Sequence, residues 1–138
     1  MSAVTVTATK VRPLKGCLTR MVDAGEAMDV GDLVRIDSDG DVNQCDASTL
    51  AGTKGVLGIV VAGHKRADDG SIASGERVTV VLHGPVAGFS SLAEQTLHYV
   101  SETQGKIDNA KPTFARAVGY PISTTVFYFN PDPGDPGS

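Results

Sequence analysis

LVRIDSDGDVNQCDAS (residues 33–48) and LHYVSETQGKIDNAKP (97–112) decide how this chain is read. Each opens as a strand; Leu33, Val34 and Ile36 supply the strand-forming residues in the first. Each reaches a glycine turn, at Ser38-Asp39-Gly40 and at Gln104-Gly105, where Gly accepts positive φ without steric cost. Each then returns as a short strand, the first from Val42. The flanking segments repeat as well. GVLGIVVAG (55–63) is an apolar run with Gly at both ends and is expected to be a buried central strand, and RAVGYPI (116–122) stands in the corresponding place. RVTVVLHGPV (77–86) reads as a strong strand broken at Gly84-Pro85, and VFYFNP (126–131) likewise ends at a Pro. Gly40 and Gly105 are 65 residues apart and Gly58 and Gly119 are 61 apart, a drift that loop lengths account for. The expectation is a tandem of two related β units, about 24–86 and 87–131.

The totals agree with a single domain large enough to bury a core: 138 residues, 41% apolar. Sixteen Gly and seven Pro, with only 5% aromatics, indicate short strands joined by many turns. No segment sustains the apolar spacing of an amphipathic helix, and Ser90–Leu97 offers one helical turn at most. The fold class expected is therefore mainly β: a compact β-barrel or β-sandwich-like domain with at most one or two short helices. Residues 1–22 read as an N-terminal arm and first strand, 23–131 as the β domain, and the Pro/Gly-rich 132–138 as a flexible tail. In the arm, Val4, Val6 and Ala8 alternate with Thr5, Thr7 and Thr9, the period of an extended strand. Pro13 interrupts regular pairing. Residues 16–22 form a strand that ends at Asp23-Ala-Gly25, and RADDGSIASGE (66–76) reads as an exposed loop.

The net charge of −4 argues against a general nucleic-acid binder. The charge is uneven. Lys10, Arg12, Lys15 and Arg20 lie in residues 1–22 with no acid among them, which leaves 8 basic and 16 acidic residues, a net −8, in the rest. Such an arm is either a solvated terminus or a segment that pairs with an acidic partner. MSAVTVTATK lacks the apolar core of a signal peptide, and no apolar run approaches the ~20 residues that span a bilayer. Synthesis inside the cell with Cys17 and Cys45 reduced is the expectation, with a disulfide between them left open.

Motifs for chemistry are weak. DSDGD (37–41) suggests a calcium loop, but Gly40 stands at position 4 and Ser48 at position 12, where an EF-hand needs Gly at about 6 and Glu at about 12. A polar turn is expected there instead. His64, His83 and His98 have no metal-like spacing and read as surface or strand-edge residues. No nucleophile elbow, H-E-x-x-H or P-loop motif occurs. GTKGVLG (52–58) precedes a strand, not a helix. Tyr99, Tyr120, Phe127, Tyr128 and Phe129 lie in strands with few basic neighbours, which suits core or subunit packing over base stacking. No catalytic, cofactor-binding or metal residue is assigned.

The ordered segments resemble a known family. PLKGCLTRMVDAGEAMDVGDLVRIDSDGDVNQCDAS (13–48), GVLGIVVAG (55–63), SGERVTVVLHGPVAGF (74–89) and LHYVSETQGKIDNAKP through AVGYPISTTVFYFNP (97–131) are together similar to tailed-phage head decoration proteins, also called capsid cement proteins. The resemblance implies a small β-rich, non-enzymatic protein, made in the host cytoplasm and carried on the outer surface of the virion head. It implies binding where major capsid protein subunits meet, resistance to internal DNA pressure, and a homo-oligomer, with a trimer favoured. It needs no cofactor, nucleic acid or membrane. An arm that adds to a capsid strand would fit, with Val4 and Val6 in the added strand and Lys10, Arg12, Lys15 and Arg20 facing acidic capsid groups. A tail, baseplate or fibre-associated subunit is the alternative. A small β-barrel carbohydrate-binding module or enzyme is a third reading.

Overall fold

The structure is a computed structural model that describes residues 4–7, 10–37, 39–49, 51–63, 70–90, 92 and 96–131. The expected tail, Ala8, Thr9, Ser38, His64, the first part of the 66–76 loop and residues 91 and 93–95 lie outside the described residues. The described strands are β1 (Thr5–Val6), β2 (Arg12–Pro13), β3 (Leu18–Asp23), β4 (Met28–Asp29), β5 (Leu33–Ile36), β6 (Val42–Gln44), β7 (Val56–Gly63), β8 (Ser71–Ile72), β9 (Arg77–Ala87), β10 (Phe89–Ser90), β11 (His98–Val100), β12 (Ile107–Asp108), β13 (Ala117–Pro121) and β14 (Val126–Phe129). A 3-10 turn covers Ala51–Thr53. The protein is mainly β, and its principal sheet is antiparallel and curled into a half-barrel.

The strand order in that sheet is β12-β11-β13-β14-β9-β7-β5-β6. It divides into two runs of the same design. In the first half a hairpin, β5–β6, pairs through β5 with β7, and β7 pairs with β9. In the second half the hairpin β11–β12 pairs through β11 with β13, and β13 pairs with β14. Val34 faces Gly58 in one, and His98 faces Gly119 in the other. The Asp39-Gly40 and Gln104-Gly105 turns thus close hairpins at matching places in the two runs. The runs meet where β14 pairs with the second part of β9, from Val126↔Ala87 to Phe129↔Gly84.

Two apolar clusters hold the sheet. Leu33, Ile59, Val81, Val86, Val100, Phe127 and Phe129 belong to the larger one, and Val34, Val60, Val78 and Val80 to the smaller, with Val22 and Val42. Adjacent residues such as Leu33 and Val34, or Ile59 and Val60, point to opposite faces of a strand. Both faces of β5, β7 and the first part of β9 are therefore buried, which is why their sequences are apolar without alternation. Each such side chain contributes about 1.5–3 kcal/mol on leaving water. The smaller cluster is covered by the two-stranded ribbon β4–β8, whose Met28 and Ile72 are buried on it. This corrects the reading of 66–76 as exposed loop throughout: one large apolar side chain, Ile72, is enough to seat β8.

The chain does not break at Gly84-Pro85. β9 runs on to Ala87, and Gly84 takes φ +127, which bends the strand without ending its pairing. The N-terminal ribbon uses this bend. β2 pairs with Val86 and Ala87, and β3 pairs with Arg77 to His83. Between them the chain passes across Gly84, so close that a Cβ there would stand 2.8 Å from the Cα of Cys17. Leu14 N and Cys17 Sγ both donate to the Pro85 carbonyl, at 2.9 and 3.0 Å.

The turn that follows β11 does more than reverse the chain. Gly105 N donates to Cys45 O, and Gly105 O accepts from Leu33 N, both at 2.8 Å, so this glycine is seated in the end of the β5–β6 hairpin. Gly105 has φ +76, and a Cβ would meet Gln44 Nε2 at 2.9 Å. Beside it the Asp32 carboxylate is buried and accepts from Asp29 N at 3.0 Å, Gln44 Nε2 at 2.6 Å and Lys106 Nζ at 3.4 Å. Burying a carboxylate is costly unless its lone pairs are filled, and here both halves of the chain fill them.

Gly84→Ala is expected to lose on the order of 3 kcal/mol, because positive φ and a backbone contact oppose the methyl together. Gly40→Ala, where φ is +90 and no atom lies within 4 Å of the added carbon, is expected to lose only about 1 kcal/mol. Urea unfolding of the two variants checks the difference; equal losses would show that the crossing at Gly84 does not constrain the fold.

Candidate functional site

The N-terminal segment is extended but not free. Val4 is a core residue at 3% exposure and Val6 is half-buried against the same cluster. β1 pairs with β10 through Thr5↔Ser90 and Val6↔Phe89. On the other side Val4 N donates to Ile107 O of β12 at 2.6 Å, so the segment ties the small β1–β10 ribbon to the β12 margin of the curled sheet. This corrects the expectation that Val4 and Val6 present open ladder groups to a partner. The buried surface available to two valines, and the unpaired edges of β10 and β12, draw the segment onto its own domain.

The basic residues are placed differently. Lys10, Arg12, Lys15 and Arg20 are all exposed, and none belongs to an ion pair among the described residues. Lys10 and Arg12 line one shallow cleft of about 490 Å³ with Thr7, Phe89, Ser90 and Thr125. Lys15 sits in the turn between β2 and β3, and Arg20 lies on β3. The ribbon thus carries its positive charge along one margin of β9. Sequence reasoning missed what stands beside that charge. Leu18 and Met21 of β3 are 60% and 52% exposed. Tyr120 and Tyr128 are cross-strand neighbours, both exposed, and Tyr128 meets His83 edge-on with ring centroids 5.3 Å apart. The missing signal was pairing: an apolar strand reads the same whether one or both faces are covered.

Polar groups elsewhere serve structure. In the DSDGD turn Asp39 Oδ1 accepts from Asp41 N at 3.1 Å, while Asp37 binds the side chains of Arg35 and Asn43. No group of three or more His, Cys, Asp or Glu among the described residues is placed to hold a metal ion. Cys17 and Cys45 are both free thiols. Burial pushes the Cys45 thiol far up, with nearby Arg35 and Arg116 opposing, and raises Cys17 against the hydrogen bond at Leu14. His98 is not a surface or strand-edge residue. It is buried in β11, between β12 and β13, with Nδ1 donating to Thr96 O at 2.7 Å and the ring 5.5 Å from Phe127. Burial lowers its pKa, against the smaller raising effects of the Thr96 bond and of Asp108. No helix among the described residues is long and apolar enough to cross a membrane.

In comparisons with known proteins the chain matches no family model and no curated protein.

Deleting residues 1–7 is expected to lower the stability of the isolated protein by on the order of 3 kcal/mol, since it removes one buried valine, one half-buried valine and their backbone bonds. A denaturant midpoint unchanged by the deletion would restore the free-arm reading. The His98 imidazole titrates lower in the folded protein than in the unfolded chain, where 6.5 is ordinary. The unfolded chain therefore binds more protons below that value. Stability is full above it and falls as pH drops from it toward the lower folded-state value, with a slope of at most about 1.4 kcal/mol per pH unit. Unfolding curves between about pH 7.5 and pH 5.5 should show this loss in the native chain and a smaller one in His98→Gln.

Proposed function

We propose that this chain is a structural protein that decorates the outer surface of a tailed-phage head, binds where major capsid protein subunits meet and stabilises the shell against internal DNA pressure. The observation that carries the reading is the ordered set of family-like segments, which spans residues 13–131 without a change of order. Two of the structural findings support it. GVLGIVVAG forms β7, SGERVTVVLHGPVAGF runs along β9 into β10, and LHYVSETQGKIDNAKP forms the β11–β12 hairpin, so the resembling segments make up the frame of the sheet. The exposed cations of residues 10–20 face outward from an otherwise acidic chain, a distribution that favours an acidic protein surface over nucleic acid.

In this reading the capsid contact consists of Lys10, Arg12, Lys15 and Arg20. Val4 and Val6 belong to the fold. Each contact to the shell is modest, and a trimer at a symmetry axis makes several at once. Linked sites gain affinity through effective concentration, so the assembled clamp holds far more tightly than one copy. No catalytic step is involved.

The test uses expanded, undecorated heads of the phage that encodes the chain. The purified protein is expected to co-sediment with them, to raise the temperature at which they release DNA, and to ignore unexpanded heads. Absence of binding to expanded heads would overturn the proposal, and binding to tails instead would move the chain to another part of the virion.

A further inference from the structure

β3 is the open edge of this sheet. Residues 18–23 pair with β9 on one side, and among the described residues no backbone or side-chain group bonds to the other. The strands at the two ends of the sheet are shorter, and each receives a backbone bond. Val42 of β6 takes Gly25 N at 2.7 Å, and Ile107 of β12 takes Val4 N. Proteins shield an unpaired edge with prolines, bulges, charged side chains or short length, because its row of N–H and C=O groups templates another strand. β3 has six residues, contains no proline, and exposes Leu18 and Met21; its one register shift lies at its start, between Leu18 and Thr19, and Thr19 to Asp23 pair without interruption. Its one acid, Asp23, is already engaged with Arg77 at 3.2 Å. The cations nearest the edge, Arg20 and Lys15, have no such partner among the described residues.

We infer that the outer edge of β3 is a docking site for an extended, acidic segment of a partner protein, which adds to the sheet as a further strand. Main-chain bonds along residues 18–23 would supply affinity, Leu18 and Met21 would receive apolar side chains, and Arg20 and Lys15 would select glutamate or aspartate. Charge decides between occupants. A second copy paired edge to edge would set one basic ribbon against another, and like charges facing across strands are destabilising. A nucleic acid would satisfy the cations but offers no ladder to the edge and nothing to Leu18 and Met21. The site lies on the margin of the sheet opposite in role to β1, whose ladder is already filled by its own domain.

The experiment takes the full chain, isotope-labelled for amide NMR, with a synthetic peptide alternating Val and Glu and a matched peptide alternating Val and Lys. The acidic peptide is expected to perturb and protect the amides of Leu18 to Asp23. The double variant Lys15→Glu, Arg20→Glu, whose two sites are exposed and spare the core, is expected to bind it about tenfold more weakly with an unchanged thermal midpoint. The milder pair Lys15→Gln, Arg20→Gln gives the same readout should the reversal perturb folding. Protection at another edge or none at all, equal binding of the lysine peptide, or the same protection produced by duplex DNA would overturn the inference. So would protection of β3 that grows with protein concentration in the absence of peptide, which would assign the edge to a second copy. A chain that ignores heads yet binds the acidic peptide at β3 would overturn only the capsid reading.

Discussion

The approach of the Cys17 backbone onto Gly84 is the constraint on which the rest of the architecture depends. β9 has to serve two runs of strands, and a strand can do so only if it turns from one to the other without losing its partners. A side chain at residue 84 would hold the crossing ribbon away, and a residue unable to take φ +127 would straighten the bend. With glycine there, β7 and β3 flank the first part of β9 while β14 and β2 flank the second. Pro85 follows at no cost to the arrangement, because its carbonyl is what Leu14 and Cys17 bind.

The two-run design was legible in the sequence because it rests on local signals. Glycine turns at Asp39-Gly40 and Gln104-Gly105 specify hairpins, and the apolar run at 55–63 and the strand-forming residues of 77–86 specify strands, almost by themselves. The features that were not legible depend on what a segment packs against. The alternation from Val4 to Thr9 specifies an extended segment but not whose sheet it joins. Ile72 is the one large apolar side chain in a polar stretch, and only the second apolar face of β5 and β7 beneath it explains its burial. His98 follows the same logic: a polar residue on a strand is buried when a carbonyl, here that of Thr96, satisfies its ring nitrogen. Gly84-Pro85 reads as a terminator by composition, and becomes a bend only because a second strand waits on the far side.

The candidate surface was half legible. Its charge could be counted along the chain, and the four cations are where a count would put them. Their alignment beside an unpaired strand could not be counted, since it arises when β2 and β3 are laid along β9. The result is a basic ribbon fastened to the body by one edge and open at the other, with apolar side chains between the charges. That combination suits recognition of an extended acidic chain, and it requires no movement of the ribbon from its place.

β1 also has a consequence in time. Its partners are Phe89 and Ser90 on one side and Ile107 on the other. A ribosome delivers Val4 well before those partners, so a segment made early is among the last of this domain to find its place. Until β12 has been made, Val4 cannot reach its bond to Ile107, and the contact that ties β1 to the principal sheet closes only after residue 107 is out.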